Sequence, residues 1–360
     1  MTQQFTGLQI LRFVAAMLVV AMHGTQAISM HVTGKGDAVY WGAGGAGVDM
    51  FFVISGFVMT ITTLGLPDRG PARLAAAWVF MKRRILRIVP LYWFYTLLKA
   101  ALLLAIPAIA AKSTFDGGHL LTSLLFIPSV NPSSGLIQPA LQVGWTLNFE
   151  MLFYLVFAIA IALGAPRARL CLLVFLAIFL AGQHYTQPVP LVFYAQSIIF
   201  EFVLGVAIAY GLKRYGAPHP AFAILLVAAS TFFMFAFDWS YRTDRMYPWG
   251  MGGAAMVLGI VWLERWIARA PGARQLSFLG DASYSIYLVH TFVVPGTVIA
   301  LRKVGILDPA AILVIVSAVV MVAGSLSHIW LEKPMTSFLK RYLFPDSSRS
   351  FLHAANTPAK

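Results

Sequence analysis

Charge is scarce in this sequence. Only 11% of its residues are Asp, Glu, Lys or Arg, where a soluble domain carries about 25%. A chain of 360 residues cannot wet its surface with so little charge, which excludes a soluble globular protein. Acidic residues are scarcest, 13 against 26 basic ones. The one cysteine, Cys171, sits in an apolar run, so there is no disulfide framework. Several motifs are missing. No Gly-x-Gly-x-x-Gly joins a strand to a helix, there is no Gly-x-Ser-x-Gly, and neither His-Glu-x-x-His nor paired cysteines occur. A nucleotide fold is therefore not implied, and no metal site is expected. No short repeat appears. The N-terminus lacks a basic leader, and Arg12 and His23 interrupt the first apolar run, which argues against a secretory signal.

What is present is apolar. Residues of the AVILMFWYC set make up 59% of the chain. A membrane-crossing helix needs about 20 mostly apolar residues, and ten candidate spans are found, near 8–30, 43–64, 86–106, 143–164, 169–183, 194–212, 221–237, 247–266, 282–301 and 310–331. The expected fold is all-α, a polytopic membrane helical bundle of about ten transmembrane helices. It forms a single domain over 1–345, followed by a disordered cytoplasmic tail, 346–360. The stretch 120–128 is too short to span and fits a re-entrant or interfacial piece within the loop 107–142. With the N-terminus inside, eighteen Lys and Arg residues fall on the inner side and six on the outer, and Arg12 and Lys99 lie within spans. That bias puts both termini in the cytoplasm. It also accounts for the net charge of +13 without nucleic acid as a partner.

Ionisable side chains inside spans are costly and mark sites by default. Arg12 and His23 are eleven residues apart, about 20° from three full turns, so they share a helix face about 16 Å apart along the axis. Carboxylates at similar depth come from Asp49, Glu150 and Glu201, each about 9–12 Å below the outer boundary. A carboxylate can fix the tautomer of an imidazole and raise its basicity, and a histidine near neutrality suits general-base work. A plainer reading stands beside this one. Arg12 can snorkel to the headgroups, and His23 or any of the carboxylates can hydrogen-bond a neighbouring helix. Glu150 is the deepest of the three and is flanked by Trp145, Phe149, Phe153 and Tyr154.

The densest cationic cluster is Lys82-Arg83-Arg84 with Arg87, where an inner loop enters the third span. It is either a positive-inside anchor beside anionic lipid or a binding site for a cytosolic polyphosphate. The glycine-rich run 42–47 lets helices approach closely or break, and Ser55 reads as a packing residue. Ser283 to His290 put a polar stripe into the ninth span, with Asp281 at its mouth. Pro334 is expected to stop the tenth span, with Glu332 pairing an inner cation. Trp239 and Tyr241 could line a sugar site or sit in the interfacial belt.

In order and spacing these pieces resemble the acyltransferase 3 family of integral membrane O-acyltransferases. They are Arg12 with His23, the run Gly47 to Phe57 (GVDMFFVISGF), Arg84 to Trp93 (RILRIVPLYW), Trp145 to Glu150 (WTLNFE) and Ser283 to His290 (SYSIYLVH). The agreement covers most of 6–335. With no hydrolase-like domain after the last span, the chain looks most like the standalone, exopolysaccharide-modifying type. The resemblance implies an acyl-CoA donor, usually acetyl-CoA, with no permanently bound cofactor. The implied acceptor is a hydroxyl of a polysaccharide or lipid-linked saccharide. His23 matches the expected catalytic residue, Arg12 its partner on the same helix, and Glu150 an important acidic position. Arg84 and Arg87 match the pair that engages the CoA phosphates, with Arg83 and Lys82 beside them. Asp49 is a further candidate for orienting the imidazole.

The implied location is the inner (cytoplasmic) membrane, as a multi-pass protein in the lipid bilayer. The competing reading is a proton-coupled transporter of a small solute or glycan, since intramembrane His and Glu and broken helices serve transport too. The spans show no evident two-fold repeat, which counts against it.

Overall fold

The computed structural model describes residues 5–34, 41–66, 70–106, 114–236 and 244–343. The expected tail 346–360, Trp239 and Tyr241 lie outside the described residues. In chain order the helices begin with α1 (Thr6–Ile28), α2 (Ala46–Thr63), α3 (Ala72–Ala105), α4 (Gly117–Leu124) and α5 (Trp145–Leu163). They continue with α6 (Arg167–His184), α7 (Val189–Tyr194), α8 (Glu201–Tyr215), α9 (Pro220–Phe235) and α10 (Met251–Trp262). The last five are α11 (Glu264–Ile267), α12 (Ala273–Asp281), α13 (Ser283–Lys303), α14 (Pro309–Ser327) and α15 (Lys333–Leu343). Among the described residues no strand forms, and one isolated bridge joins Val130 to Ile137.

Seven helical runs are long and apolar enough to cross a membrane: Thr6–Thr33, Gly42–Thr63, Ala72–Ala105, Gln142–Leu163, Arg167–His184, Ser283–Lys303 and Pro309–Leu343. Large apolar side chains on their outer faces are exposed, including Leu104, Leu173 and Val314, as a lipid-facing surface requires. The protein is a polytopic helical bundle. The other three expected spans are present as the shorter helices α8, α9 and α10. α8 starts on the 3-10 turn Ser197–Phe200, and α10 starts on the π turn Met246–Gly250, so part of each apolar run is spent outside regular helix. Pro334 does not stop the last helix. The run bulges through a π turn at His328–Glu332 and continues as α15. Pro334 is second in α15, where a proline's missing N–H costs little.

The chain divides into two compact units. The first comprises residues 2–61 and 204–330. Helix α1 is its axis and is buried on two faces. Leu8, Leu11 and Ala15 pack with Met50, Val53 and Phe57 of α2 and Val257 of α10. Ala16, Val20 and Ala27 pack with Ile286 and Val294 of α13 and Val316 of α14. The glycine-rich run explains how α2 reaches α1. A Cβ on Gly47 would lie 2.2 Å from the Ala15 carbonyl oxygen, so only glycine permits this crossing. The start of α1 is fixed by Glu264, whose carboxylate accepts the N–H groups of Thr6 (2.6 Å) and Gly7 (2.8 Å). That satisfies two of the N–H groups a helix start leaves open.

The second unit comprises residues 62–203 and those from 331 onward. Here α3 packs on α5 and α15, and α5 on α6. Its centre is aromatic. Phe153 stacks on Phe202 at 4.5 Å between ring centroids, and Phe80 on Phe157 at 5.4 Å. The short helix α4 is tied to α3 by two side chains. Tyr92 donates to the Ser123 carbonyl (3.2 Å) and Trp93 to that of Leu124 (2.8 Å). Residues 120–128 are thus a folded piece docked on a span, which realises the expected short non-spanning segment.

Candidate active site

In the first unit, His23 stands nearly five turns into α1. Its Nδ1 lies 3.0 Å from the Val19 carbonyl oxygen and 3.3 Å from Nε2 of His290 on α13. The two rings are tilted by 44°, with centroids 4.9 Å apart. The proton positions follow from the partners. A carbonyl only accepts, so His23 Nδ1 carries the hydrogen. His290 Nε2 is then the acceptor, which leaves the His290 proton on Nδ1, a buried atom with no hydrogen-bond partner among the described residues. Among the described residues both hydrogen bonds of His23 use Nδ1, which leaves the Nε2 lone pair for a substrate. His290 is buried, and His23 is half-buried. Tyr287 packs against His290 at 5.7 Å between ring centroids.

Arg12 lies on the same helix, where its guanidinium donates to Gln9 Oε1 at 3.1 Å. Asp49 is fully buried at the start of α2, and Arg245 grips it from the segment before α10. Arg245 Nε and Nη2 reach the two carboxylate oxygens at 3.1 and 2.6 Å, and Nη2 also donates to the Gly45 carbonyl at 3.1 Å. The guanidinium covers the Trp249 ring at 5.3 Å. Of the first-unit residues read from sequence, then, the structure gives His23 a histidine partner and Asp49 an arginine partner.

The second unit holds the cationic cluster and Glu150. Glu150 accepts a hydrogen bond from Tyr154 one turn on. The Tyr154 ring lies 5.9 Å from the Arg84 guanidinium, and Phe80 lies 5.7 Å from it on α3. Glu150, Tyr154 and Arg84 form one connected group. Arg84 has no carboxylate within 4.0 Å among the described residues, and its Nε is buried without a hydrogen-bond partner. A guanidinium held on aromatic faces and short of acceptors is suited to phosphate. Arg87 is paired instead with the buried Glu332, the inner-cation pairing expected of that residue. Arg83 is exposed. Lys82 lies over Trp78 and donates to the Leu343 carbonyl at 3.4 Å. Among the described residues no group of three His, Cys, Asp or Glu side chains forms.

The family model described as acyltransferase domain matches residues 5–330, so it takes in both units and every residue above except Glu332 and Leu343. The chain belongs to the acyltransferase 3 family of membrane acyltransferases. It is 37% identical over 312 residues to the exopolysaccharide production protein ExoZ of Rhizobium meliloti, covering 81% of this chain and 89% of that protein. It is 26% identical over 381 residues to the acyltransferase MdmB of Streptomyces mycarofaciens, covering 92% and 91%. No solved structure matches it.

Sequence reading missed the His23–His290 pairing. His290 stood in a polar stripe, but its partner is 267 residues away in the chain. It missed Arg245 for the same reason: it read as one more outer-loop cation, 196 residues from Asp49.

Proposed function

We propose that the protein is an O-acyltransferase of the bacterial inner membrane, with both termini cytoplasmic. It moves an acyl group, acetyl in the main, from cytoplasmic acyl-CoA to a hydroxyl of an exopolysaccharide or lipid-linked glycan. The observation that carries the reading is the His23 ring, fixed at Nδ1 by Val19 and His290 with Nε2 outside both contacts. The name of the relative ExoZ, an exopolysaccharide production protein, supports the acceptor class.

In this reading His23 Nε2 takes the proton of the acceptor hydroxyl as its oxygen attacks the thioester carbonyl carbon. The C–O bond forms, the C–S bond breaks, and the proton passes to the departing thiolate, giving free CoA. His290 is a positioning residue that accepts from the same Nδ1–H and holds the ring in place. Arg84 meets the CoA phosphates, with Arg83 and Lys82 at the edge of that site. Arg87 holds Glu332 and shapes the same helix face. Glu150 holds Tyr154, and with it the surface on which Arg84 rests. Arg12, about 16 Å from His23 along α1, positions the arm of the acyl-CoA rather than the oxyanion. Asp49 acts through Arg245, locking α2 to the start of α10.

The test is acetyl-CoA turnover by the purified protein in lipid, with and without a glycan extract. Free thiol that appears only with the extract supports acyl transfer. Solute uptake into vesicles with no CoA requirement would support the transporter instead.

A further inference from the structure

The second unit carries a small open cleft of about 80 Å³ at the far end of α3 from the cationic cluster. Lys99, on its wall, is fifteen residues beyond Arg84, about 22 Å along the helix. The cleft is a built feature. Its floor is α4, tied to α3 by Tyr92 and Trp93. Its far wall is held by Ser123 Oγ, which accepts the N–H of Ala140 at 2.8 Å. Within it His119 is 9% exposed, with its Nδ1 3.0 Å from Ser129 Oγ. The other ring nitrogen, Nε2, is buried and has no hydrogen-bond partner among the described residues. A buried polar atom without a partner is rare and calls for one from outside.

The groups lining the cleft are mixed in hydrogen-bonding character. Lys99 only donates, the Asp116 carboxylate only accepts, and Asn131 and Gln142 do both. Lys99 forms no ion pair among the described residues. Phe115 lines the same cleft and is 45% exposed. One cation and one carboxylate leave the cleft with no net charge, which disfavours a phosphate. Alternating donors and acceptors match groups that are both, and those are hydroxyls. An open aromatic ring matches the apolar face of a pyranose.

We infer that this cleft binds a saccharide, with His119 Nε2, Lys99 and Gln142 hydrogen-bonding its hydroxyls and Phe115 covering one ring face. The inference rests on the acyl-transfer reading only for the saccharide's role, which would be that of acceptor. Helix α5 begins just after Gln142 and carries Glu150 about 12 Å further along. The cleft therefore lies at one end of the α3–α5 pair, and the Arg84 group lies further along the same pair.

The test measures binding, so it does not depend on turnover. Fluorophore-tagged oligosaccharides cut from the host cell's own exopolysaccharide are titrated into the protein in nanodiscs, with inorganic pyrophosphate as competitor. Lys99→Met and Gln142→Ala should each weaken binding about tenfold or more. Pyrophosphate should not compete. Displacement by pyrophosphate, equal binding by both cleft variants, or no binding of the tagged pool would each overturn the inference. Thermal unfolding of each variant at the wild-type temperature shows that it is folded. Saccharide binding in a protein that releases no thiol would remove acyl transfer and keep the cleft. Thiol release whose acceptor KM is unmoved in both variants would remove the cleft and keep acyl transfer.

Discussion

His290 Nε2 stands 3.3 Å from His23 Nδ1, joining a helix near the start of the chain to one near its end. The Val19 carbonyl puts the shared proton on His23, so His290 has to be neutral and accepting. Loss of His290 leaves the His23 ring held by the Val19 carbonyl alone and freer to tilt. His290→Ala should lower kcat by about ten- to a hundredfold, part of what a positioned general base contributes, with KM for acetyl-CoA nearly unchanged. His290→Gln keeps an acceptor and should recover part of the loss. Steady-state kinetics of the two variants check this. Equal losses in both would contradict a positioning role.

The two arginines of the cluster should separate. Arg84 rests on Phe80 and Tyr154 and has no carboxylate partner among the described residues, so Arg84→Ala should raise KM for acetyl-CoA about tenfold or more with little effect on Tm. Arg84→Lys should restore little, because an ammonium lacks the planar fork. Arg87→Ala removes a charged partner of the buried Glu332 and should cost about 2 kcal/mol of stability, below the range for fully buried pairs because Arg87 is 34% exposed. KM measurements beside thermal unfolding distinguish the two effects.

Asp49 and Arg245 should behave as one unit. Asp49→Asn and Arg245→Gln should each lower the unfolding temperature, and the double variant should lose much less than the sum. A double-mutant cycle should give a coupling of about 1–3 kcal/mol. A coupling near zero would mean that Asp49 is held by something other than the two contacts from Arg245.

Burial lowers the pKa of the His119 imidazole below its ordinary 6.5; Asp116 opposes the shift and Lys99 adds to it. The unfolded chain therefore takes up this proton at a higher pH than the folded one does. Stability should be full above about pH 6.5 and should fall as pH drops from there toward the folded pKa. His119→Gln should show a shallower fall in Tm over that window. An identical pH profile in both proteins would show that His119 is not a source of the dependence.

Much of the bundle was legible because lipid imposes a simple rule: a long apolar run must be a helix. Seven of the ten expected spans reach full length on that rule. The rule fails where an apolar run is partly spent on a 3-10 or π turn, as at Ser197 and Met246. Arg12 and His23 were readable as one helix face because helical spacing is local. The partners of His23, Asp49 and Arg87 were not, since each lies on a distant helix and only packing decides which side chains meet. Pro334 misled for a positional reason: the same residue that stops a helix interior starts one comfortably. The function of the Tyr92-Trp93 pair was hidden too, because it became visible only with α4 docked on α3.

The central claim is that His23 performs the acyl transfer. Its most direct test is glycan-dependent release of free thiol from acetyl-CoA by wild type and by His23→Ala, each folded and reconstituted in lipid. The account predicts release by the wild type and none above background by the variant, with acetyl-CoA binding retained in both. Release at the wild-type rate by His23→Ala would contradict it.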